Sequence, residues 1–197
     1  MENYKKNLKL LENNHVYSKE MEHDACGVGV IASTEGKKSR AIVEYGIEAL
    51  KAVWHRGAVD ADGKTGDGAG IHVEIPKDFF IEKIQVTGHD YDNSEICVGM
   101  IFLPRNDYSA QESCKTIVES ELTKNNFSIY GWRQVPVNSK VLGEKALHTM
   151  PEIIQVLFKP NDPNLLDKNL ERKIYETRKR IENKAFDASL NNFYICS

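Results

Sequence analysis

The sequence of 197 residues lacks any apolar run as long as a membrane-spanning helix requires. Its lysine-rich first residues are not followed by an apolar segment, so we predict no secretory signal. Neither sign of charge predominates, because 26 basic and 29 acidic residues give a formal net charge of −3. This balance argues against a surface for nucleic acid or for anionic membrane. We therefore predict a soluble protein with neither kind of partner.

Cysteine is sparse and widely spaced. Cys26, Cys97, Cys114 and Cys196 never form a CxxC pair. This spacing predicts no metal site in the chain, and it is not typical of a secreted disulfide framework. A reducing, cytoplasmic location fits these cysteines best.

What is present indicates a globular α+β domain. Hydrophobic residues make up 41% and charged residues 28% of the chain. Residues 1–24 are polar and without sustained periodicity, so we expect a leader or loosely ordered arm there. Period-2 alternation and short apolar runs predict strands over 26–32, 71–75, 96–103, 127–137, 153–158 and 193–197. The 3.6-residue period predicts helices over 39–54, 108–124 and 170–186.

A glycine-dense segment, 57–70, invites comparison with known ligand loops and matches none. Five residues separate Gly57 from Gly63, where a phosphate-binding P-loop has four. The carboxylates of Asp60 and Asp62 would repel phosphate, and Lys64 stands where a calcium-binding EF-hand needs an oxygen ligand. We predict a tight loop whose backbone lies close to another group.

Cys26 and the dipeptide His55-Arg56 are ordinary when each is taken alone. A free cysteine at the start of a strand is usually a core residue. A basic pair at a helix end usually contacts the last carbonyls of that helix. Composition and spacing therefore indicate only a soluble α+β domain.

Five segments together resemble the large subunits of glutamate synthases, in their class-II glutamine amidotransferase domain. Residues 22–32 (EHDACGVGVIA) resemble a propeptide junction followed by a mature N-terminus. Residues 49–58 are similar to the helix end and His-Arg-Gly turn of these amidotransferases. Residues 62–70 (DGKTGDGAG) resemble the long form of the loop found in glutamate synthases. The segments 127–136 and 193–197 also resemble this family.

The resemblance implies a fold, a domain division and a site. The fold is part of the four-layer αββα sandwich of N-terminal-nucleophile hydrolases. Residues 1–25 would be a propeptide or leader, and 26–197 the N-terminal half of the amidotransferase domain, truncated at its C-terminus. Cleavage of the Ala25–Cys26 bond would make Cys26 the catalytic nucleophile, with Gly27 leaving room for substrate. Supporting positions near that site would be Arg56, Gly66, Asp67 and Gly68.

The implied reaction is hydrolysis of glutamine to glutamate and ammonia through a thioester, with ammonia passing to 2-oxoglutarate. Implied partners are glutamine, the rest of the synthase chain and a small subunit. FMN, an iron–sulfur cluster and a nicotinamide or ferredoxin donor would lie outside these residues. The sequence contains no Asn-Gly pair, which supplies the oxyanion hole in this family. Because loss of one such donor costs about 10²- to 10³-fold in rate, we expect the chain alone to be inactive.

Three alternatives remain open. A class-II amidotransferase could serve another ammonia acceptor, and the acceptor domain would distinguish it. A non-catalytic module of the same fold would retain residues 1–25 and leave the Cys26 thiol unreactive toward glutamine analogues. A plain structural α+β domain would bury Cys26 in its core.

Overall fold

The computed structural model describes residues 2–13, 27–54, 57–66 and 68–196. They form two compact units, one of residues 1–58 with 66–71 and one of residues 59–65 with 72–197. None of the helices within these ranges is long and apolar enough to cross a membrane. The elements in chain order are α1 (Glu2–Asn13), α2 (Arg40–Ala52), α3 (Lys77–Val86), β1 (Cys97–Leu103), α4 (Tyr108–Lys124), β2 (Phe127–Gln134), a 3-10 turn (Ser139–Val141), α5 (Glu144–Thr149), β3 (Glu152–Pro160), α6 (Asp167–Asp187) and β4 (Tyr194–Cys196).

The first unit contains α1 and α2. The loosely ordered arm expected near the N-terminus is wrong for residues 2–13, which are helical because lysine, glutamate and leucine favour a helix. Helix α2 confirms the predicted helix over 39–54. Ser39 caps its N-terminus, and the Ser39 hydroxyl accepts a hydrogen bond from the Ala41 amide at 3.2 Å. None of its residues is buried.

Two predicted strands are absent from the described residues. Residues 27–32 and 71–75 have no regular secondary structure. Val28 and Val30 are 90% and 86% exposed, and Ile71 and Val73 are also exposed. An apolar run forms a strand only where a neighbour accepts its backbone hydrogen bonds. The four-stranded sheet of the described part includes neither segment, so both predictions fail there.

The second unit is built on an antiparallel sheet of order β2-β3-β1-β4. These strands confirm the four predictions over 96–103, 127–137, 153–158 and 193–197. Strand β1 runs in the centre, where Ile101 lies opposite Ile154 of β3 and Ile195 of β4. Buried and half-buried residues alternate along it. One face of the sheet is therefore covered more completely than the other.

Helices α4 and α6 cover that face, and both match predicted helices. The main core joins them to the sheet through Cys97, Ile101, Leu103, Cys114, Val118, Leu122, Phe127, Ile154, Val156, Phe158, Leu170, Ile181 and Ile195. Polar contacts reinforce the same layer. Lys184 of α6 donates to the buried carboxylate of Glu121 in α4, and the Trp132 indole donates to Glu119 at 2.7 Å.

Helix α3 packs on the opposite face and was not predicted. Its Phe80 and Ile84 form a second buried cluster with Ile96, Tyr130 and Leu157. The spacing of Phe80 and Ile84, four residues apart, was the available signal. A bulge in β2 turns Tyr130 toward this cluster and places Gly131 at φ +150°. A Cβ on Gly131 would lie 2.7 Å from Thr87 Cγ2, so only glycine fits.

The α+β class is therefore confirmed. The described part supplies one helical layer and one sheet, with α3 on the other side of that sheet. The α4–α6 layer and the sheet correspond to an α layer and a β layer of the expected αββα sandwich.

Candidate functional site

Half of the predicted site residues belong to the described part of the chain. Gly27, Gly66 and Gly68 are described, whereas Cys26, Arg56 and Asp67 lie outside the described residues. The structure therefore leaves the predicted geometry around the Cys26 thiol as a prediction.

The three described glycines differ in how closely they are packed. A Cβ on Gly66 would lie 3.1 Å from the Ala58 carbonyl oxygen, which is tighter than most contacts of real side chains. A Cβ on Gly27 would make only an ordinary contact with Val53, and a Cβ on Gly68 would meet nothing within 4 Å. The predicted close approach of the loop backbone is therefore found at Gly66 and not at Gly68.

Residues 60–65 form a closed turn organised by the side chain of Asp62. The Asp60 amide donates to the Thr65 carbonyl at 2.7 Å. Asp62 Oδ1 accepts from the amides of Lys64 and Thr65 at 2.9 and 2.7 Å, and its Oδ2 accepts from the Thr65 hydroxyl at 2.6 Å. Gly63 has φ +67°, which a side chain would disfavour. One carboxylate thus satisfies three donors of its own loop.

The same contacts explain the electrostatics of the turn. The Thr65 hydroxyl, followed by the amides of Thr65 and Lys64, lowers the pKa of Asp62 to about 2. Asp62 is therefore ionised at neutral pH. Because the amides of Lys64 and Thr65 face this carboxylate, they are not available to a phosphate. The geometry agrees with rejecting a P-loop.

The other three cysteines are buried or half-buried. Cys97 and Cys114 are buried in the main core, and burial raises the pKa of Cys97 to about 12 and that of Cys114 to about 11. Cys196 is half-buried in β4, and burial raises its pKa also. In the described part of the chain, no group of three or more His, Cys, Asp or Glu side chains could hold a metal ion.

The family assignment comes from comparison with known proteins. The sequence profile of class-II glutamine amidotransferases matches residues 26–197, and the match begins at Cys26. The chain belongs to the class-II glutamine amidotransferase family. The predicted resemblance is thereby confirmed at the level of the family.

Several relatives of this amidotransferase chain are glutamate synthases. It is 51% identical over 194 residues to the glutamate synthase [NADPH] large chain of Azospirillum brasilense, covering 98% of this chain and 13% of that protein. It is 39% identical over 194 residues to the ferredoxin-dependent glutamate synthase of Pyropia yezoensis, covering 96% and 12%. Ferredoxin-dependent glutamate synthase 2 of Synechocystis is 37% identical over 177 residues, covering 89% and 11%. The chain spans about an eighth of the length of these relatives.

One set of residues close to the glycine-dense loop was missed by sequence reasoning. Gly143 and Lys145, at the beginning of α5, contact the turn formed by residues 60–65. Nothing in their spacing could reveal this, because Lys145 lies 85 residues from its partner Asp60.

Proposed function

We propose that the chain is part of the glutamine-hydrolysing domain of a glutamate synthase, with Cys26 as nucleophile. The observation that carries the proposal is the 51% identity to a glutamate synthase large chain over almost the whole sequence. The family match that begins at Cys26 supports the division into a propeptide of residues 1–25 and a domain from residue 26 onward. Glutamine is the substrate implied by the family.

The burial of Cys97 and Cys114 supports the choice of Cys26 as nucleophile. Catalysis needs a thiolate that substrate can reach. Burial raises the pKa values of Cys97 and Cys114 and shields both thiols. Two cysteines remain, Cys26 and Cys196, and Cys196 is half-buried in β4. After cleavage of the Ala25–Cys26 bond, the α-amine of Cys26 has an ordinary pKa of about 8, which is close to the pKa of an ordinary thiol.

The proposed reaction has two stages. The α-amine of Cys26 takes the thiol proton, and the thiolate attacks the side-chain carbonyl carbon of glutamine. The tetrahedral oxyanion collapses, the C–N bond breaks, and nitrogen leaves as ammonia with the proton returned by the amine. Water then attacks the glutamyl thioester, which releases glutamate and restores the thiol. Arg56 and the loop of Gly66, Asp67 and Gly68 would support the site.

The released ammonia would pass to 2-oxoglutarate in the rest of the synthase chain, and reduction would complete glutamate. FMN, an iron–sulfur cluster and a nicotinamide or ferredoxin donor belong to that second reaction. By resemblance to the family, we assign these groups, and any small subunit, to parts of the synthase outside these residues. A cytoplasmic enzyme fits this chemistry.

The decisive experiment uses the protein made from the full gene. We expect intact mass and N-terminal sequencing to show a chain that begins at Cys26 and hydrolyses glutamine. Cys26→Ala should lower hydrolysis by at least about 10³-fold, while Cys196→Ser should retain it. A folded protein that still begins at Met1, with a Cys26 thiol inert to electrophilic glutamine analogues, would instead establish a non-catalytic module.

A further inference from the structure

A groove of about 440 Å³ lies between the C-terminal half of α6 and strand β4. Arg178, Lys179 and Phe186 line it from α6, and Tyr194 lines it from β4. Both aromatic side chains are open to solvent, with 79% of Phe186 and 62% of Tyr194 exposed. Aromatic residues and arginine are the residue types that contribute most to binding at protein interfaces. The composition of the groove is therefore that of a binding surface.

Strand β4 forms one wall of the groove and is also an edge of the sheet. It pairs with β1 along one side, where Ile195 lies opposite Ile101. On its other side, no strand pairs with it in the part of the chain that the structure describes. An unpaired edge presents backbone N–H and C=O groups that a further extended segment can bind. The edge therefore favours an extended polypeptide over a small molecule as the occupant of the groove.

The groove has two cations and one carboxylate among its lining side chains. Glu182 faces both cations, with its Oε1 3.4 Å from Arg178 Nε and its Oε2 2.5 Å from Lys179 Nζ. One positive charge therefore remains without a counter-charge from the lining. Arg178 Nε is buried and has no hydrogen-bond acceptor among the described residues. Since a buried donor without an acceptor is unfavourable, and a guanidinium binds a carboxylate through two parallel hydrogen bonds, the groove suits an acidic side chain.

We propose that this groove binds an extended acidic segment from the rest of the synthase chain. The segment would pair with β4 as a further strand, place an Asp or Glu carboxylate on Arg178, and cover Phe186 and Tyr194. The inference rests on the proposed function, because it takes the chain to be part of a glutamate synthase. The relatives are about eight times as long as the region that matches, and a segment of the same chain meets the groove at a high effective concentration.

A second copy of the same surface is a less suitable occupant. In a symmetric contact a surface meets itself, so the excess positive charge of one groove would lie against that of the other. Like charges brought together at an interface are unfavourable. Strand β4 has only three residues, Tyr194–Cys196, so two such edges would also share few hydrogen bonds.

The test places a photoreactive side chain in the groove of the full-length protein. On irradiation we expect Tyr194→p-benzoylphenylalanine to cross-link to a segment outside residues 1–197 that contains Asp or Glu, identified by peptide mass spectrometry. Phe186→p-benzoylphenylalanine gives a second measurement from the other wall. The matched control is Tyr108→p-benzoylphenylalanine, since Tyr108 is 77% exposed at the beginning of α4 and does not line the groove. It should give no cross-link to that segment.

Hydrogen exchange of the β4 amides tests the role of the guanidinium in the same protein. Arg178→Gln should speed exchange about 10- to 100-fold, the effect of losing a hydrogen bond between charged groups. Arg178→Lys should not restore slow exchange, because an ammonium group lacks the planar fork. Arg172→Gln is the control and should leave exchange unchanged, since Arg172 is 80% exposed and pairs with Glu176. Arg178→Glu combined with a lysine at the cross-linked acidic position should recover slow exchange.

The outcomes separate the surface from the glutaminase assignment. The proposed surface is overturned if neither groove position cross-links, or if both cross-link only within residues 1–197, to a second copy or to a separate protein. Equal exchange of the β4 amides in wild type and Arg178→Gln would overturn it as well. In each of these cases, loss of hydrolysis in Cys26→Ala would leave the glutaminase assignment intact. Cross-linking to the expected segment, with equal hydrolysis by wild type and Cys26→Ala, would overturn that assignment and retain the surface.

Discussion

The reactivity of the four thiols offers a quantitative test of how the second unit is packed. Thiolate is the species that reacts with alkylating agents. Burial raises the pKa from an ordinary 9.0 to about 12 for Cys97 and about 11 for Cys114. At neutral pH these changes lower the thiolate fraction about 1,000-fold and about 100-fold relative to an ordinary thiol. Steric exclusion lowers reactivity further, because Cys97 is 3% exposed and Cys114 is 1% exposed.

The assay is a time course with iodoacetamide near neutral pH, with each cysteine quantified by peptide mass spectrometry. We expect Cys26 to be modified first, and Cys97 and Cys114 to react at measurable rates only after urea is added. The denatured protein is the internal control, because all four thiols then have similar pKa values. Modification of Cys97 in the native protein at its denatured rate would refute the burial of β1 against α4 and α6.

Two further predictions concern α3 and the turn of residues 60–65. Ile84→Ala should lower the free energy of unfolding by about 2 to 4 kcal/mol, since Ile84 is fully buried; urea unfolding should show almost no loss for Val86→Ala, whose side chain is 83% exposed. Asp62, with its pKa lowered to about 2, contributes stability that is present above about pH 4 and is lost as the pH falls through about 2. In an NMR titration, the chemical shift of the Asp62 carboxyl carbon should stay constant down to about pH 3. A titration midpoint near pH 3.8, the ordinary value, would contradict the hydrogen-bonded turn.

The sheet and its covering helices were accessible to sequence reasoning because their signals are local. Strand β1 is a run of seven apolar or small residues, and α6 repeats leucine and isoleucine at helical spacing. Both patterns are satisfied by burial within the second unit. Helix α3 was missed because its apolar stripe is short, with Phe80 and Ile84 as its only buried residues.

The family was accessible from the sequence in a different way. The motifs around Cys26 and the glycine-dense segment are short, and only their combination indicated a class-II amidotransferase, which the family match confirms. The contacts of Gly143 with the turn were out of reach, since no periodicity links residues so distant in sequence. The failed strands at 27–32 and 71–75 have the same cause, because a strand depends on a partner that its own sequence does not specify.

Residues 27–32 and the turn of residues 60–65 differ in what stabilises them within the described residues. Val28 and Val30 are almost fully exposed, and burying each side chain would contribute about 1.5 to 3 kcal/mol. Residues 27–32 therefore gain little free energy from apolar burial within the described residues. The turn of residues 60–65 is held differently, by hydrogen bonds to Asp62 and by close contact with Gly143. We therefore expect the turn to keep its geometry through its own hydrogen bonds, whereas residues 27–32 have little burial within the described residues to hold them.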